Sequence, residues 1–535
     1  FQISRNLTLN MGVRWGMPGA IADRRDSATV LLPDLPDPLA QSTGLPLKGG
    51  LALVKSALWS KRTTEEPKNF LIAPRIGLAY RFGASTVIRT GYGISYLPND
   101  VGMTPLGNLP SNSPVNRGTS IMVTSVNNAG LVPLNVLSNP FPAGGIPGNS
   151  EQYIVQPAGR NEAYLASLKG LSIDGAVPWQ PYAYMQQWNF SIQREVAAGT
   201  LVELAYGGSR GIHIPTFAIN RNQISSQYIS QGSALLAKVA NPLAGKVNVT
   251  SALNGATTTQ GQLLRPYPQY INFIERNAHA GDTVYHAMQV RMEKRFGEAG
   301  ILNSNFTWSK NIGTASGTVG SFIEGGMTAG SYQDYTNLKN ERSLLNFDVP
   351  YRFVTSYVLE LPIGQGKRYL KSVSGPVGKL ISGWGVNGIV TMQSGFALSI
   401  LAQSTALSRT FGAGQPRPNL VAGCDPVLSG SAQSRRNKWF NTACFVQPGD
   451  YQFGNEARVD PKIRRAGINN FDLTFSKNTA ITEQFRLQFK AEFFNLFNRA
   501  QFGAPGVTLG TSTFGVVTSQ ANNPRQVQFS LRLNF

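Results

Sequence analysis

The sequence predicts an all-β fold and, within that class, an antiparallel β-barrel that crosses a membrane. Segments of about ten residues alternate between apolar and polar side chains, which is the period of a strand with two unlike faces. The connections between these segments alternate between short and long along the chain. Charged residues are only 14% of the 535 residues and glycine occurs 56 times, a composition that favours strands and loops over helices.

The last hairpin of the chain shows the two-faced pattern most clearly. Its final strand places apolar side chains at every second position, namely Val527, Phe529, Leu531, Leu533 and Phe535. The segment 485–493 alternates in the same way. Strands of this length can cross the hydrocarbon core of a bilayer when they are tilted.

The same pattern recurs upstream and gives about twelve predicted strands in all. Those that precede the last hairpin lie at 6–15, 74–82, 88–96, 188–196, 202–206, 288–295, 302–308, 353–361, 384–392 and 471–475. Aromatic residues near their ends fit an interfacial girdle, the alternative being the rim of a soluble core. They are Trp15, Tyr96, Trp188, Tyr206, Trp308 and Trp384.

Two classes of connection join the predicted strands. The short ones lie at 83–85, 197–199, 297–300 and 478–484, with 364–381 as a longer member. The long ones lie at 16–71, 98–183, 207–283, 311–350, 394–467 and 495–524. Outer-membrane barrels have short periplasmic turns and long extracellular loops. This pattern therefore predicts that Phe535 is periplasmic and that 495–524 faces outside.

The net charge of +20 does not by itself indicate nucleic-acid binding, because the Lys and Arg residues are scattered and form no long basic run. In a barrel they can meet phosphorylated lipid at the rim or line a polar lumen. Cys424 and Cys444 lie in one predicted long loop. A disulfide between them fits an oxidising compartment, and two free thiols are the alternative.

The sequence contains little that indicates a catalytic or metal-binding site. His213, His279 and His286 have no metal-ligand spacing. Gly207–Gly211 matches G-x-S-x-G around Ser209, but extended sequence follows where a nucleophile elbow needs a helix. We interpret these glycines as the place where a strand turns into its loop. Asp348 is expected to have a structural role, and no catalytic, cofactor-binding or metal-binding residue is predicted.

Several segments resemble the C-terminal barrel portion of Oar-like TonB-dependent receptors. The most specific are WFNTACF (439–445) and AEFFNLFNRAQFGAP (491–505). Others are PRIGLAYRFG (74–83), QQWNFSIQRE (186–195), VELAYGGSRGIHI (202–214), YHAMQVRMEKRF (285–296) and FDVPYRFVTSYVLELPIGQGKR (347–368). The resemblance implies a barrel of about 22 strands around a plug domain. Residues 1–535 would then be the C-terminal part of this barrel domain, with its earlier strands, the plug and a regulatory-like domain missing.

The resemblance also implies a function and a set of partners. The protein is expected to be a receptor in the outer membrane of a Gram-negative-type bacterium that binds a small molecule, glycan or peptide with its long loops and moves it across the membrane. Expected partners are outer-membrane lipid and lipopolysaccharide, the barrel-assembly machinery, and the TonB complex through the missing N-terminal region; nucleic acid is not among them. The alternatives are a passive structural or adhesive barrel and a soluble secreted all-β binding protein.

The end of the last strand also resembles the assembly signal of bacterial outer-membrane barrels. In that signal the final strand ends in an aromatic residue, as this chain ends in Phe535. The resemblance implies that Val527, Phe529, Leu531, Leu533 and Phe535 together act as the signal read during insertion.

Overall fold

The computed structural model describes residues 1–20, 22, 24, 26, 28–66, 70–97, 162–216, 218–249, 251–276, 278–315 and 332–535. One antiparallel sheet of fourteen strands dominates this part of the chain. Thirteen of them pair in sequence order: β1 Gln2–Ser4, β2 Leu7–Gly16, β3 Leu71–Phe82, β4 Thr86–Tyr96, β5 Tyr184–Ala197, β6 Thr200–Ile214, β7 Gly281–Arg295, β8 Gly300–Gly313, β9 Tyr351–Glu360, β10 Trp384–Gln393, β11 Ile468–Ala480, β12 Arg486–Phe494 and β13 Gln526–Asn534. The remaining strand, Ser343–Leu344, pairs with β8.

The predicted strands coincide with β2–β13, which confirms the all-β class and the antiparallel sheet. Two differences stand out. The short β1 pairs with β2 and was not predicted. Strand β6 continues to Ile214, well past the predicted end at residue 206, and the glycines of Gly207–Gly211 pair with β5 on one side and β7 on the other. The interpretation of these glycines as a strand-to-loop turn is therefore wrong: glycine adopts extended conformation when both neighbouring strands supply hydrogen bonds.

The pairing register keeps apolar side chains on one face of the sheet from β2 to β13. Phe353, for example, lies between Phe306 of β8 and Met392 of β10. Ala491 lies between Phe475 of β11 and Phe529 of β13. We call this the apolar face and the opposite one the polar face. A one-residue slip in any pairing would exchange the two faces of a strand, so the continuous alignment is a property of the whole sheet.

Much of the apolar face is left uncovered by the part of the chain that the structure describes. Val13, Phe529 and Leu531 are 70%, 66% and 69% exposed. Such a wide uncovered apolar surface is unfavourable in water, whereas it matches the outside of a membrane barrel. The exposed face therefore argues against the soluble alternative.

The sheet is open in this structure. Across the described residues no hydrogen-bonded pairing joins β13 to β1 or β2, so the sheet has two edges and does not form the closed ring of the predicted barrel. Closure needs a strand that satisfies the outer backbone groups of β13.

Among the described residues, no helix has the length and apolar character needed to cross a membrane.

The described parts of the long connections fold into a second layer, which we call the loop layer. Because the sheet is antiparallel and its strands follow chain order, all six long connections leave and re-enter it at the same end. The small strands of this layer pair as Thr29–Pro36 with Lys48–Leu53, Lys238–Ala240 with Thr257–Thr259, and Asn419–Leu420 with Phe445–Val446. A three-stranded sheet is formed by Ala218–Asn220, Phe273–Arg276 and Ile173–Gly175.

The described residues also form short helices. The α-helices are Leu39–Thr43, Glu162–Ser167, Ser226–Ile229, Gln260–Leu263, Gly375–Ile381 and Ala406–Thr410. The 3₁₀ helices are Gly232–Leu236, Ala252–Asn254, Gly297–Ala299, Leu338–Glu341 and Thr442–Cys444. Two of these, Gly297–Ala299 and Gly375–Ile381, lie in short-class connections at the other end of the sheet.

The loop layer has its own apolar cores. One gathers Leu31 and Leu53 from the β2–β3 connection, Ile173 from the β4–β5 connection and Phe273 from the β6–β7 connection. A second packs Trp439 and other side chains of the β10–β11 connection against Val517 of the β12–β13 connection. The loops therefore hold one another in place through buried apolar contacts, and the long connection 16–71 contributes a buried hairpin.

Candidate functional site

The loop layer carries the candidate binding surface, and buried charges fix it to the sheet. Glu341 is fully buried and its carboxylate lies 2.5 Å from Nη1 of Arg417, which is only 5% exposed. Arg458 donates from Nε to the backbone oxygen of Glu341 and from Nη2 to that of Gly313 at the end of β8, each at 2.9 Å. The three side chains thus join the β8–β9 and β10–β11 connections to the strand below.

A second set of hydrogen bonds surrounds Asp348, just before β9. Its Oδ1 accepts a hydrogen bond from the backbone N–H of Asn311 at 2.6 Å. Its Oδ2 accepts from Nη2 of Arg464 at 2.6 Å, while Nη1 of Arg464 donates to the Asp348 backbone oxygen at 2.8 Å. Such charge-assisted, two-point contacts fix orientation as well as distance. Asp348 therefore has a structural role, as expected, because it joins Asn311 of β8 to Arg464 of the β10–β11 connection.

A third contact lies at the start of β7. Oδ1 of Asp282 accepts hydrogen bonds from the backbone N–H and the hydroxyl of Thr314, at 3.2 and 2.5 Å. Its other carboxylate oxygen pairs with Arg342. The ends of β7 and β8 are therefore tied to the same connection that supplies Glu341.

Two carboxyl groups in the β10–β11 connection are poorly solvated. Burial and the neighbouring charge of Asp460 raise the pKa of Glu456 to about 7. Burial also raises the pKa of Asp460, although the backbone N–H groups of Ile463 and Lys462 donate to it. The folded loop layer therefore favours the protonated form of Glu456 near neutral pH.

We expect the loop layer to lose stability as pH rises through about 7 because of Glu456. A carboxyl whose folded pKa is raised contributes stability at pH values below its unfolded pKa, near 4.5, and this contribution is lost as pH rises through the folded pKa. Limited proteolysis of the loops should therefore be faster at about pH 8 than at about pH 6. Glu456→Gln, which cannot ionise, should remove most of this difference; an unchanged pH dependence in the variant would rule out this origin.

The two cysteines are joined in the structure. A disulfide links Cys424 to Cys444, with Cα atoms 5.4 Å apart. Cys444 is fully buried and packs with Trp439 and Phe440 in the second loop-layer core. The bond closes a loop of about 20 residues, for which chain-entropy estimates give roughly 3 kcal/mol of stabilisation.

The residues considered for chemistry are scattered. His279 lies in the loop layer with its Nδ1 against the backbone oxygen of Pro181, and burial lowers its pKa. His286 lies on the apolar face of β7, whereas His213 ends β6 with a positive φ of 58°. The structure contains no cluster of three or more potential metal ligands within the ranges it describes. Ser209 pairs with Gln187 and Tyr285 inside the sheet, so it does not occupy a strand-to-helix turn.

The glycine motif instead makes room for an aromatic ring. A Cβ atom at Gly208 would lie 2.4 Å from the indole of Trp188 on the neighbouring strand. That indole donates to the Tyr206 hydroxyl at 3.1 Å, and the hydroxyl lies 2.8 Å from Nδ1 of His286. Gly388 makes room for the Tyr357 ring in the same way. The polar atoms of Trp188, Tyr206 and His286 are therefore hydrogen-bonded to one another on the apolar face.

Two of the concave regions formed by the described residues lie where a ligand could meet the loops, and both are open to solvent. One, of about 410 Å³, lies on the loop layer and is lined by residues that include Gln403, Gln447 and Asp450. The other, of about 250 Å³, lies on the polar face where β2–β4 meet the loops, beside Arg14 and Arg75. The first lies at the low end of the volume range of pockets that enclose small ligands and the second lies below that range, and neither is enclosed by protein. The wide outer surface of the loop layer is therefore the better candidate for ligand contact.

Comparisons with solved structures give distant similarities. The outer membrane transporter YddB from Escherichia coli is 9% identical, with a TM-score of 0.40 over 87% of this chain and 41% of that one. The pyoverdine receptor FpvA from Pseudomonas aeruginosa is 8% identical, with a TM-score of 0.37 over 100% of this chain and 41% of that one. The siderophore receptor PiuA from Acinetobacter baumannii is 7% identical, with a TM-score of 0.37 over 100% and 41%.

This chain thus spans about two fifths of the length of those three proteins. No curated relative matches it by sequence. Residues 1–528 match a protein family described as "Outer membrane beta barrel domain". This match covers nearly the whole chain and agrees with the two-faced antiparallel sheet and its uncovered apolar face. The chain belongs to the outer membrane β-barrel domain family.

Proposed function

We propose that the protein is a TonB-dependent receptor of the outer membrane, of the Oar-like kind, which binds a ligand with its loop layer and moves it across the membrane. The observation that supports this most is the loop layer itself. It is a folded surface with apolar cores and a buried ion pair between Glu341 and Arg417. A surface that is already ordered loses little conformational entropy when a ligand binds.

The proposal includes an orientation. The loop layer faces outside, and the short connections and Phe535 face the periplasm, because all long connections share one end of the sheet. Lipid and lipopolysaccharide contact the apolar face. A plug in the N-terminal part of the barrel would couple ligand release to the TonB complex. The proposal includes no catalytic step.

The ligand is a small molecule, glycan or peptide. The polar face carries arginines such as Arg75, Arg89 and Arg352, which suits a water-filled path. Because the concave regions are open to solvent, the wider outer surface of the loop layer is the proposed contact for each of these ligand classes.

Cross-linking to TonB in living cells tests the receptor proposal without knowledge of the ligand. The full-length protein, expressed in its own host, should form a TonB adduct with formaldehyde. Treatment with a protonophore should change the amount of that adduct, because energised TonB cycles between bound and free states. A second TonB-dependent receptor in the same cells serves as the positive control. If the control cross-links and this protein does not, the chain is a passive structural or adhesive barrel instead.

A further inference from the structure

The connection between β9 and β10 differs from the other short-class connections because it contains an α-helix, Gly375–Ile381. We call residues 361–383 the turn segment. Two apolar side chains of the helix are largely exposed: Val377 is 58% and Leu380 is 68% exposed. Tyr369 and Leu370 are also exposed. Four exposed apolar residues in one short connection need an apolar partner.

The end of this helix is fixed to the apolar side of the sheet. The indole of Trp384 donates to the backbone oxygen of Leu380 at 3.0 Å. Nζ of Lys477 donates to the backbone oxygens of Lys379 and Ser382, at 2.8 and 2.7 Å. Trp384 and Lys477 are directly paired across β10 and β11, in register with Val386 and Phe475 on the apolar face. The last turn of the helix therefore lies beside the surface that meets lipid.

The two most exposed apolar residues share one side of the helix. Val377 and Leu380 are three residues apart, which places them as neighbours on a helical surface. Gly378 is buried, and a Cβ atom there would lie 2.9 Å from the backbone oxygen of Val373. The helix thus packs against its own connection at Gly378 and presents Val377 and Leu380 away from it.

The charges of the turn segment are all positive. It contains Lys367, Arg368, Lys371 and Lys379 and no acidic residue. Lys367 is paired with Glu360 at the end of β9, at 2.8 Å. The other three basic side chains have no carboxylate partner within the connection. Exposed apolar groups beside unneutralised basic groups are typical of segments that lie in a membrane interface.

We propose that the turn segment is an interfacial anchor for the phospholipid leaflet at the short-connection end of the sheet. Val377 and Leu380 enter the boundary between headgroups and acyl chains, and Arg368, Lys371 and Lys379 contact anionic phosphates. Continuity with the apolar face, through Trp384 and Lys477, selects lipid over a protein partner as the occupant. This anchor does not depend on ligand transport, because it follows from membrane insertion alone.

A fluorescent label at position 380 tests the proposal. Since the two native cysteines are bonded, Leu380→Cys provides a single thiol for an environment-sensitive dye, and Ser233→Cys, exposed on the loop layer, is the matched control. Both proteins are reconstituted in vesicles of phosphatidylethanolamine and phosphatidylglycerol, and heat-modifiable gel mobility verifies their folding. Lipids with a spin label high on the acyl chain should quench the dye at position 380 several-fold more than the dye at position 233.

Quenching at position 380 no greater than at position 233 would overturn the proposal and indicate a water-exposed surface for a protein partner. The charge contribution has its own test. Spin-labelled phosphatidylglycerol should quench the dye at position 380 more than spin-labelled phosphatidylcholine does at the same mole fraction. Replacement of Arg368, Lys371 and Lys379 with Gln should remove this preference; an equal effect of the two lipids on the parent protein would refute the anionic contact.

Discussion

Replacing Phe529, Leu531 and Leu533 with aspartate is expected to abolish insertion of the protein into the outer membrane. All three lie on the apolar face of β13 and are exposed. A charged side chain near the bilayer centre costs up to about 3 kcal/mol on insertion scales. The summed cost of three such side chains is comparable with the total stability of a typical domain. Outer-membrane fractionation and heat-modifiable gel mobility measure the outcome.

The same strand provides the control for this experiment. Gln528, Ser530 and Arg532 lie on the polar face of β13, each directly before one of the three apolar positions. Their replacement with aspartate introduces the same number of carboxylates without placing any in lipid. We expect this control to insert. Normal insertion of the apolar-face variant would contradict both the lipid contact and our proposal that Val527–Phe535 acts as an assembly signal, and deletion of Phe535 alone tests the terminal residue of that signal.

Breaking the buried pair between Glu341 and Arg417 is expected to have the second largest effect. Arg417→Met leaves the Glu341 carboxylate buried without its main cationic partner, which costs about 3–5 kcal/mol in comparable pairs. The loss should be confined to the loop layer, because the sheet retains its backbone pairings. Native-state proteolysis should therefore cleave the loops much faster while the heat-modifiable mobility of the barrel remains unchanged.

Two further variants make that prediction specific. The double replacement Glu341→Leu with Arg417→Met should recover much of the stability, since it removes both buried charges. Arg409→Met disrupts a pair with Asp450 that is 3.6 Å long and 57% and 58% exposed, and exposed pairs contribute less than about 1 kcal/mol. Equal protease sensitivity of Arg409→Met and Arg417→Met would mean that burial of the Glu341 pair does not hold the loops together.

The strands could be predicted from the sequence because each one carries its own evidence. An alternating apolar pattern such as Val527–Phe535 is a local property, and it persists in the structure. The alternating pattern did not predict the end of β6, because glycine has no side chain to show the alternation. Gly207 and Gly208 carry no hydropathy signal, so the extension of β6 could not be distinguished from a loop, although Trp188 packs over one of them.

The loop layer could not be predicted because its contacts are distant in sequence. Arg417 and Glu341 are 76 residues apart, and Arg464 and Asp348 are 116 apart. No motif connects the members of either pair. Asp348 could be identified from its position before β9, but nothing in the sequence indicated Arg464 as its partner. Similarly, Leu31 and Phe273 meet in one core only because the sheet brings the β2–β3 and β6–β7 connections to the same end.

The location of the two ends of the sheet in intact cells tests the proposed membrane orientation most directly. A membrane-impermeant maleimide should label Ser233→Cys in the loop layer and should not label Ala84→Cys in the β3–β4 turn; both positions are exposed on the protein. Ala84→Cys should become reactive once the outer membrane is permeabilised. Labelling of the turn in intact cells, or protection of the loop layer, would contradict a lipid-facing sheet whose loops lie outside.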